Sequence, residues 1–522
     1  MSMKSTVVMN PTMRVVPDQD QTHLIHLGAS RVTHNVLTAQ SYQLNAPPVQ
    51  TSFVLNPPSL QTIVDRFLRV RAYMEVEVDQ DLVLGVEDSL RQFPLSSIID
   101  VTSLSINGET ISDNTERKLH AMLCYGNTPE ERVKSWSTSP CMPDQYQEYK
   151  DWATYGSARN TAAFYGENSA EMSRGGFEIE VIDPRRFRVV VTEPIWISPL
   201  YQGLHHQVEG MVNVNELVVN LRHSANVGRV LSHSSSGNAI TVVNTTFYRA
   251  PEILSTFYTP DLTQSLPQLQ ILPYSRCNEF IRTMSQMAPG AEQQVFSDTI
   301  RLSQIPRFIY LFARRNQQSS TFGTCDSFLS IENVNLTWGN QAGLLASATK
   351  QDLFEMSRRA GCNLSYPQWS KYRGSVLCIE MGKDIGLQDY ESPGVNGGYV
   401  IQANVTFKNQ SDSPMDCDFY IVTCNQGTFS IAPNTARSSL GDLTPEMVMA
   451  ARSGNELPHL DYADLQGSGF WSSLKNIVHK ISTVAAPVLS GIAGPEIGAI
   501  ASAVRDATGS GRVSGGTLTR RR

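Results

Sequence analysis

The clearest period in this chain is a period of two. Between Phe67 and Val78, the apolar residues Leu68, Val70, Ala72, Met74, Val76 and Val78 alternate with Arg69, Arg71, Tyr73, Glu75 and Glu77. Successive side chains of a strand point to opposite faces, so this stretch predicts a half-buried strand. Leu104-Ser105-Ile106-Asn107-Gly108-Glu109-Thr110-Ile111 predicts a hairpin, because Asn-Gly accepts the left-handed backbone of a two-residue turn. Phe177–Val181, Phe187–Val191, Val212–Leu221 and Ala239–Val243 continue the series, with Asp183-Pro184 breaking the first pair. Short strands separated by Gly, Pro and Asn turns predict a sandwich rather than a parallel α/β sheet.

The second half is organised around residues 303–361. Ile305-Pro306-Arg307-Phe308-Ile309-Tyr310-Leu311-Phe312 is apolar on both alternating sets, which predicts a buried strand opened by Pro306 and bounded by the polar run Arg314-Arg315-Asn316-Gln317. Phe328–Trp338 predicts a second strand whose Val334, Leu336 and Trp338 share a face, ended by a turn at Gly339-Asn340. Thr349-Lys350-Gln351-Asp352 predicts a capped helix start, with Gly361 as the stop. Strands resume at Ser375–Ile379, Tyr399–Phe407 and Phe419–Cys424. A faint internal repeat lays Val214–Leu221 on Ile331–Trp338, with Ala225 on Ala342, and agrees with two sandwiches in tandem. The boundary is expected in the Pro-punctuated stretch Pro251–Pro273.

The series Ile305-Pro306-Arg307, Ser330-Ile331-Glu332-Asn333, Gly343-Leu344-Leu345, Gln351-Asp352-Leu353 and Gly382-Lys383-Asp384-Ile385-Gly386-Leu387 resembles the second half of a hexon-like major capsid protein. The nearest family would be the double jelly-roll capsid proteins of polinton-like and adintovirus-type DNA viruses, in the adenovirus hexon lineage. These motifs cover about residues 300–405; elsewhere the likeness rests on size and strand pattern. The resemblance implies an all-β fold of two tandem jelly rolls, residues 51–258 and 259–432, with long loop insertions. It further implies homotrimeric, pseudo-hexagonal capsomers of an icosahedral virion. Neighbouring capsomers and a penton or minor capsid protein would be the partners. Synthesis would be in the host cytoplasm, with assembly there or in the nucleus.

Three regions lack a sustained period. Residues 1–50 end at Pro47-Pro48 and read as an extended arm, either disordered or laid on a neighbour. Residues 113–175 are polar and rich in Tyr, Trp, Ser and Asn, the composition of an interaction loop or of an irregular surface excursion with a short helix. Residues 433–468 read as a linker tail with a short helix near Pro445–Ala451. Beyond them, Phe470, Trp471, Leu474, Ile477, Val478, Ile481, Val484 and Val488 recur at helical spacing, with Lys475, His479 and Lys480 opposite. Pro487, Pro495 and Glu496 argue against a membrane span. A weakly basic amphipathic helix is suited either to a bilayer interface or to a groove in protein. It resembles the membrane-lytic helix of the adenovirus internal protein. Leu465-Gln466-Gly467-Ser468-Gly469, directly before it, is similar to a cleavage site of the adenovirus-type maturation protease, with the cut after Ser468; its bland reading is a Gly-Ser linker. Segment 469–522 is therefore expected as a membrane-active or internal peptide.

Composition narrows the function classes. The 522 residues carry a net charge of −7, and only 17% are charged. Their one basic cluster, Arg520-Arg521-Arg522, is too small to neutralise many phosphates, so direct nucleic-acid binding is not expected. The eight cysteines form no C-x-x-C pair and no His-x-x-x-His accompanies them, so a zinc site is not expected, and without a secretion signal they read as reduced, mostly buried thiols. The nucleotide, zinc-protease and acyl-transfer signatures are missing, no cofactor is implied, and no enzyme is expected. His205-His206, on a strand, would point to opposite faces and could not chelate one ion. The alternative reading is a carbohydrate-binding, lectin-like sandwich with Trp136, Trp152 and Tyr155 stacking on sugar.

Overall fold

The computed structural model describes residues 12–17, 22–27, 31–42, 50–81, 88–90, 93–125, 179–200, 210–224, 230–233, 241–260, 266–315, 328–410, 414–441 and 443–453. Contacts divide the chain into two compact units, Met1–Met449 and Ala450–Arg522. Of the second unit only Ala450–Ser453, the end of a helix, is described.

Two sandwiches lie within the first unit. In chain order, the main strands of one are β1 (Arg31–Thr38), β2 (Gln50–Leu55), β3 (Arg69–Val78), β4 (Ile99–Ile106), β5 (Glu109–Asp113), β6 (Arg186–Pro194), β7 (Leu217–His223) and β8 (Val242–Thr259). The other comprises β9 (Gln270–Thr283), β10 (Glu292–Phe296, continued by Ile300–Gln304), β11 (Phe308–Arg315), β12 (Ser330–Trp338), β13 (Gln341–Leu344), β14 (Leu377–Glu380), β15 (Asn396–Lys408) and β16 (Cys417–Ala432). Every neighbouring pair is antiparallel.

In the first sandwich the sheets run β5-β4-β7-β2 and β6-β3-β8-β1; in the second they run β13-β12-β15-β10 and β14-β11-β16-β9. Adding eight to each label of the first pair gives the second pair. Each half is thus a jelly roll with the same connectivity. The fifth strand of each is followed by a helix, α1 (Thr115–Met122) after β5 and α2 (Lys350–Arg359) after β13. A last helix, α3 (Pro445–Ser453), follows the second sandwich.

The sequence pattern explains most of these elements. On β3, Val70, Ala72, Met74 and Val76 are buried, and they meet Leu104, Ile106, Leu217 and Val219 of the facing sheet in one core. Each Val, Leu, Ile or Met among them contributes about 1.5–3 kcal/mol when fully buried. In the second core, Ile309 and Leu311 face Val334, Leu336, Val405 and Phe407. Asn107 and Gly108 turn the β4–β5 hairpin at φ 48° and 88°, as a type I′ turn requires. At the start of α2, Thr349 Oγ1 accepts from the Asp352 amide while Asp352 Oδ2 accepts from the Thr349 amide at 2.9 Å. Gly361 ends that helix region at φ 99°.

Several expectations are corrected. Residues 31–42, read as part of an extended arm, instead pair with their own chain: β1 runs along β8, and Ser41–Tyr42 pairs with β2. Much of Pro251–Pro273, the expected boundary, is strand. Pro251 lies inside β8, where register shifts around Arg249 absorb a residue without an N–H. The internal repeat is real, but the overlay was misaligned. Val214–Leu221 enters β7, the seventh strand of its roll, whereas Ile331–Trp338 lies in β12, the fourth of its own. Alternation marks a strand and carries no information about its place in the fold. Finally, Cys277 and Cys424 are not free thiols. They sit directly opposite on β9 and β16 and are disulfide-bonded, while Cys124, Cys362, Cys378 and Cys417 are buried and free.

Candidate functional site at the junction of the sandwiches

Among the described residues, a dense set of buried polar groups lies where α1 leaves the first sandwich and seats on the second. Glu279 on β9 accepts from Asn114 and Lys118, each at 3.2 Å, and Lys118 also pairs with Asp113. Arg314, near the end of β11, is 1% exposed. Its Nη2 donates to the Glu116 carboxylate at 2.5 Å and its Nη1 to the Glu116 and Arg117 carbonyls. Arg373, fully buried, donates to the His120 carbonyl at 3.1 Å, placing a cation against the last turn of α1. A helix C-terminus carries partial negative charge, so this position favours the guanidinium.

The chain just after α1 locks onto the chain just after α2. Tyr125 forms a β-bridge to Cys362, and the Asn363 amide donates to the Cys124 carbonyl at 2.9 Å. The Val376 carbonyl accepts from both Tyr125 Oη at 2.6 Å and Trp369 Nε1 at 2.9 Å. Burial pushes Tyr125, Tyr310 and Cys378 well above their ordinary pKa ranges. A buried thiol held protonated is a poor nucleophile, so the cluster is a joint rather than a reactive centre. The far ends of β9 and β16 complete the joint by carrying Leu272, Tyr274, Phe429 and Ile431 into the first core.

Arg314 and Arg315 were expected to mark the polar end of a strand. Both lie within β11 and are buried on opposite faces: α1 covers Arg314, while Arg315 donates to the Pro414 carbonyl at 2.9 Å. Nothing in the linear sequence ties Arg314 to Glu116, 198 positions earlier. The available hint was β11 itself, apolar on both alternating sets where β3 is apolar on one. Residues 113–125 of the presumed loop are likewise built into the joint; residues 126–178 lie outside the described residues, as do Trp136, Trp152, Tyr155 and the pair His205-His206. The same holds for the residues singled out in the tail, Leu465, Gly467, Ser468 and Gly469 before Phe470, Trp471, Leu474, Ile477, Val478 and Ile481. Among the described residues no cluster of His, Cys, Asp or Glu could hold a metal ion. A cavity beside Thr102, Thr115 and Trp196 holds about 10 Å3, room for roughly one water.

Comparison with known proteins follows the same division of the chain. The model of the Sputnik virophage major capsid protein first domain matches residues 2–186, and that of the major capsid protein V20 C-terminal domain matches residues 278–374 and 371–427. The putative capsid protein V20 of Sputnik virophage is 28% identical over 525 residues, spanning 91% of this chain and 86% of the relative. The cryo-EM structure of Sputnik virophage matches with a TM-score of 0.76 at 26% identity, over 86% of this chain and 95% of that one. The crystal structure of the mavirus major capsid protein shares the fold, with a TM-score of 0.66 at 15% identity over 81% and 93% of the two chains.

Strand order and relatives together define a double jelly-roll major capsid protein, a structural component of a virion and not an enzyme. Within that class the chain is similar to the Sputnik virophage major capsid protein, and the hexon-like lineage inferred from its motifs fits.

Proposed function

We propose that three copies of this chain form a pseudo-hexagonal capsomer that tiles an icosahedral shell. The observation that carries this reading is the repeated connectivity: each chain supplies two sandwiches of one strand order, so three chains supply six similar lobes. Neighbouring capsomers and a penton or minor capsid protein are the partners of such a unit. Light scattering on the purified full chain tests the stoichiometry. A mass of about three times 57.7 kDa supports it, and a single-chain mass at every concentration overturns it.

The tail extends the proposal. Cleavage after Ser468 by a viral maturation protease would free a peptide beginning at Gly469, and Phe470, Trp471, Leu474 and Ile477 would then anchor it in a host membrane. Attached to a capsomer locked in the shell, the same segment would not reach a bilayer. The helical apolar spacing and the Leu-Gln-Gly-Ser-Gly run directly before it support this reading. Mass spectrometry of infectious particles tests it: a chain ending at Ser468 is expected, and an intact Arg522 terminus overturns the cleavage. A synthetic 470–504 peptide that fails to leak liposomes overturns the membrane role.

A further inference from the structure

The equivalent sheets of the two sandwiches differ in what covers them. On β11 the outward residues Tyr310, Phe312 and Arg314 are buried. Tyr125 packs edge-on against Tyr310 at 5.2 Å, Phe328 against Phe312 at 5.5 Å, and α1 closes over Arg314. On β3, the counterpart strand, the outward residues are Arg71, Tyr73, Glu75 and Glu77: Tyr73 is buried beneath Tyr248 and Arg249, Arg71 and Glu75 are half-buried and Glu77 is exposed, and among the described residues no helix packs over them.

That open face is nevertheless built. Arg188 of β6 donates to Glu75 at 2.7 Å and lies over the Tyr248 ring at 4.8 Å. Arg249 of β8 donates to Glu252 at 2.7 Å and lies over Tyr73 at 4.5 Å. Arg188, Tyr248 and Arg249 remain 37%, 39% and 60% exposed. Arginines stacked on tyrosines and held in place by carboxylates are preorganised, and Arg and Tyr are among the residue types that anchor protein interfaces.

The internal repeat points to a partner for this face. Helices α1 and α2 occupy the same place in the connectivity, each directly after a fifth strand. Helix α1 crosses to the β14-β11-β16-β9 sheet of the next sandwich, where Glu116 and Lys118 find buried partners. Helix α2 buries Leu353, Phe354 and Ser357 in its own sandwich and leaves Gln351, Asp352, Glu355, Arg358 and Arg359 exposed. We propose that α2 repeats the step of α1 between molecules: it seats on the β6-β3-β8-β1 face of a second copy, with Asp352 and Glu355 toward Arg188 and Arg249. This deepens the trimer reading, on which it rests, by naming its contact. A head-to-tail contact of this kind is heterologous, and it ends in a ring when the rotation closes.

The test places the photo-crosslinking residue p-benzoylphenylalanine at position 248 of the full chain, with light scattering before irradiation. An inter-chain adduct on residues 350–361 is the expected result. An oligomer whose adducts lie elsewhere, within the same chain or nowhere, overturns this contact and leaves the trimer standing. A single-chain mass overturns both. Glu355→Arg removes an exposed side chain of α2 whose ion pair, to Arg358 at 2.9 Å, lies at the surface and is worth little, so folding is retained. It should weaken association at least tenfold at unchanged melting temperature, and unweakened association overturns the proposal.

Discussion

Arg314 shows how one residue couples the two sandwiches. Its guanidinium and the Glu116 carboxylate are both almost fully buried, so removing one partner strands the other charge without water. Arg314→Ala is therefore expected to destabilise the chain by ~3–5 kcal/mol, read as a large fall in melting temperature. Replacing both partners by apolar residues should recover much of that loss. His223 makes a second, pH-dependent contribution. It is buried on β7, where its Nε2 lies 2.9 Å from Thr51 Oγ1, and burial lowers its pKa from 6.5 to about 4. The folded state thus holds it neutral while the unfolded chain protonates it below 6.5. The stability it contributes is present above pH 6.5 and is lost as the pH falls toward about 4. His223→Gln should flatten the melting temperature between pH 7 and pH 4.5; an unchanged slope would assign the acid sensitivity to other groups.

At the scale of elements, legibility followed the period. β3, the β4–β5 hairpin, β11, β12 and the capped start of α2 were readable because alternation, Asn-Gly and Thr-x-x-Asp each have a local physical cause. Thr349→Ala should accordingly cost about 0.5–2 kcal/mol, with the loss confined to α2 in amide hydrogen exchange. Trp338 is 5% exposed and stacks on Tyr399 at 5.4 Å. Its replacement by Ala should cost ~3–5 kcal/mol, and a neutral result would remove it from the core. What stayed illegible was non-local. β1 is a weakly patterned strand whose partner β8 lies more than two hundred positions away, so its sequence resembled an arm. The Cys277–Cys424 bond joins residues 147 apart and depends on the β9–β16 register, which spacing alone does not disclose. In the junction, α1 carries Glu116, Lys118 and His120 into a buried setting. A sequence rule that assigns charge to the surface therefore reads that helix as loop.

For the whole molecule, two jelly rolls of one connectivity are joined by a helix that covers one sheet face, and among the described residues no helix covers the equivalent face of the other roll. Electron microscopy of the purified assembly tests this account most directly. Averaged views down the capsomer axis should show six lobes about a threefold axis, with neighbouring lobes bridged both within chains and between them. Isolated two-lobed particles, or a ring with another number of lobes, would contradict it.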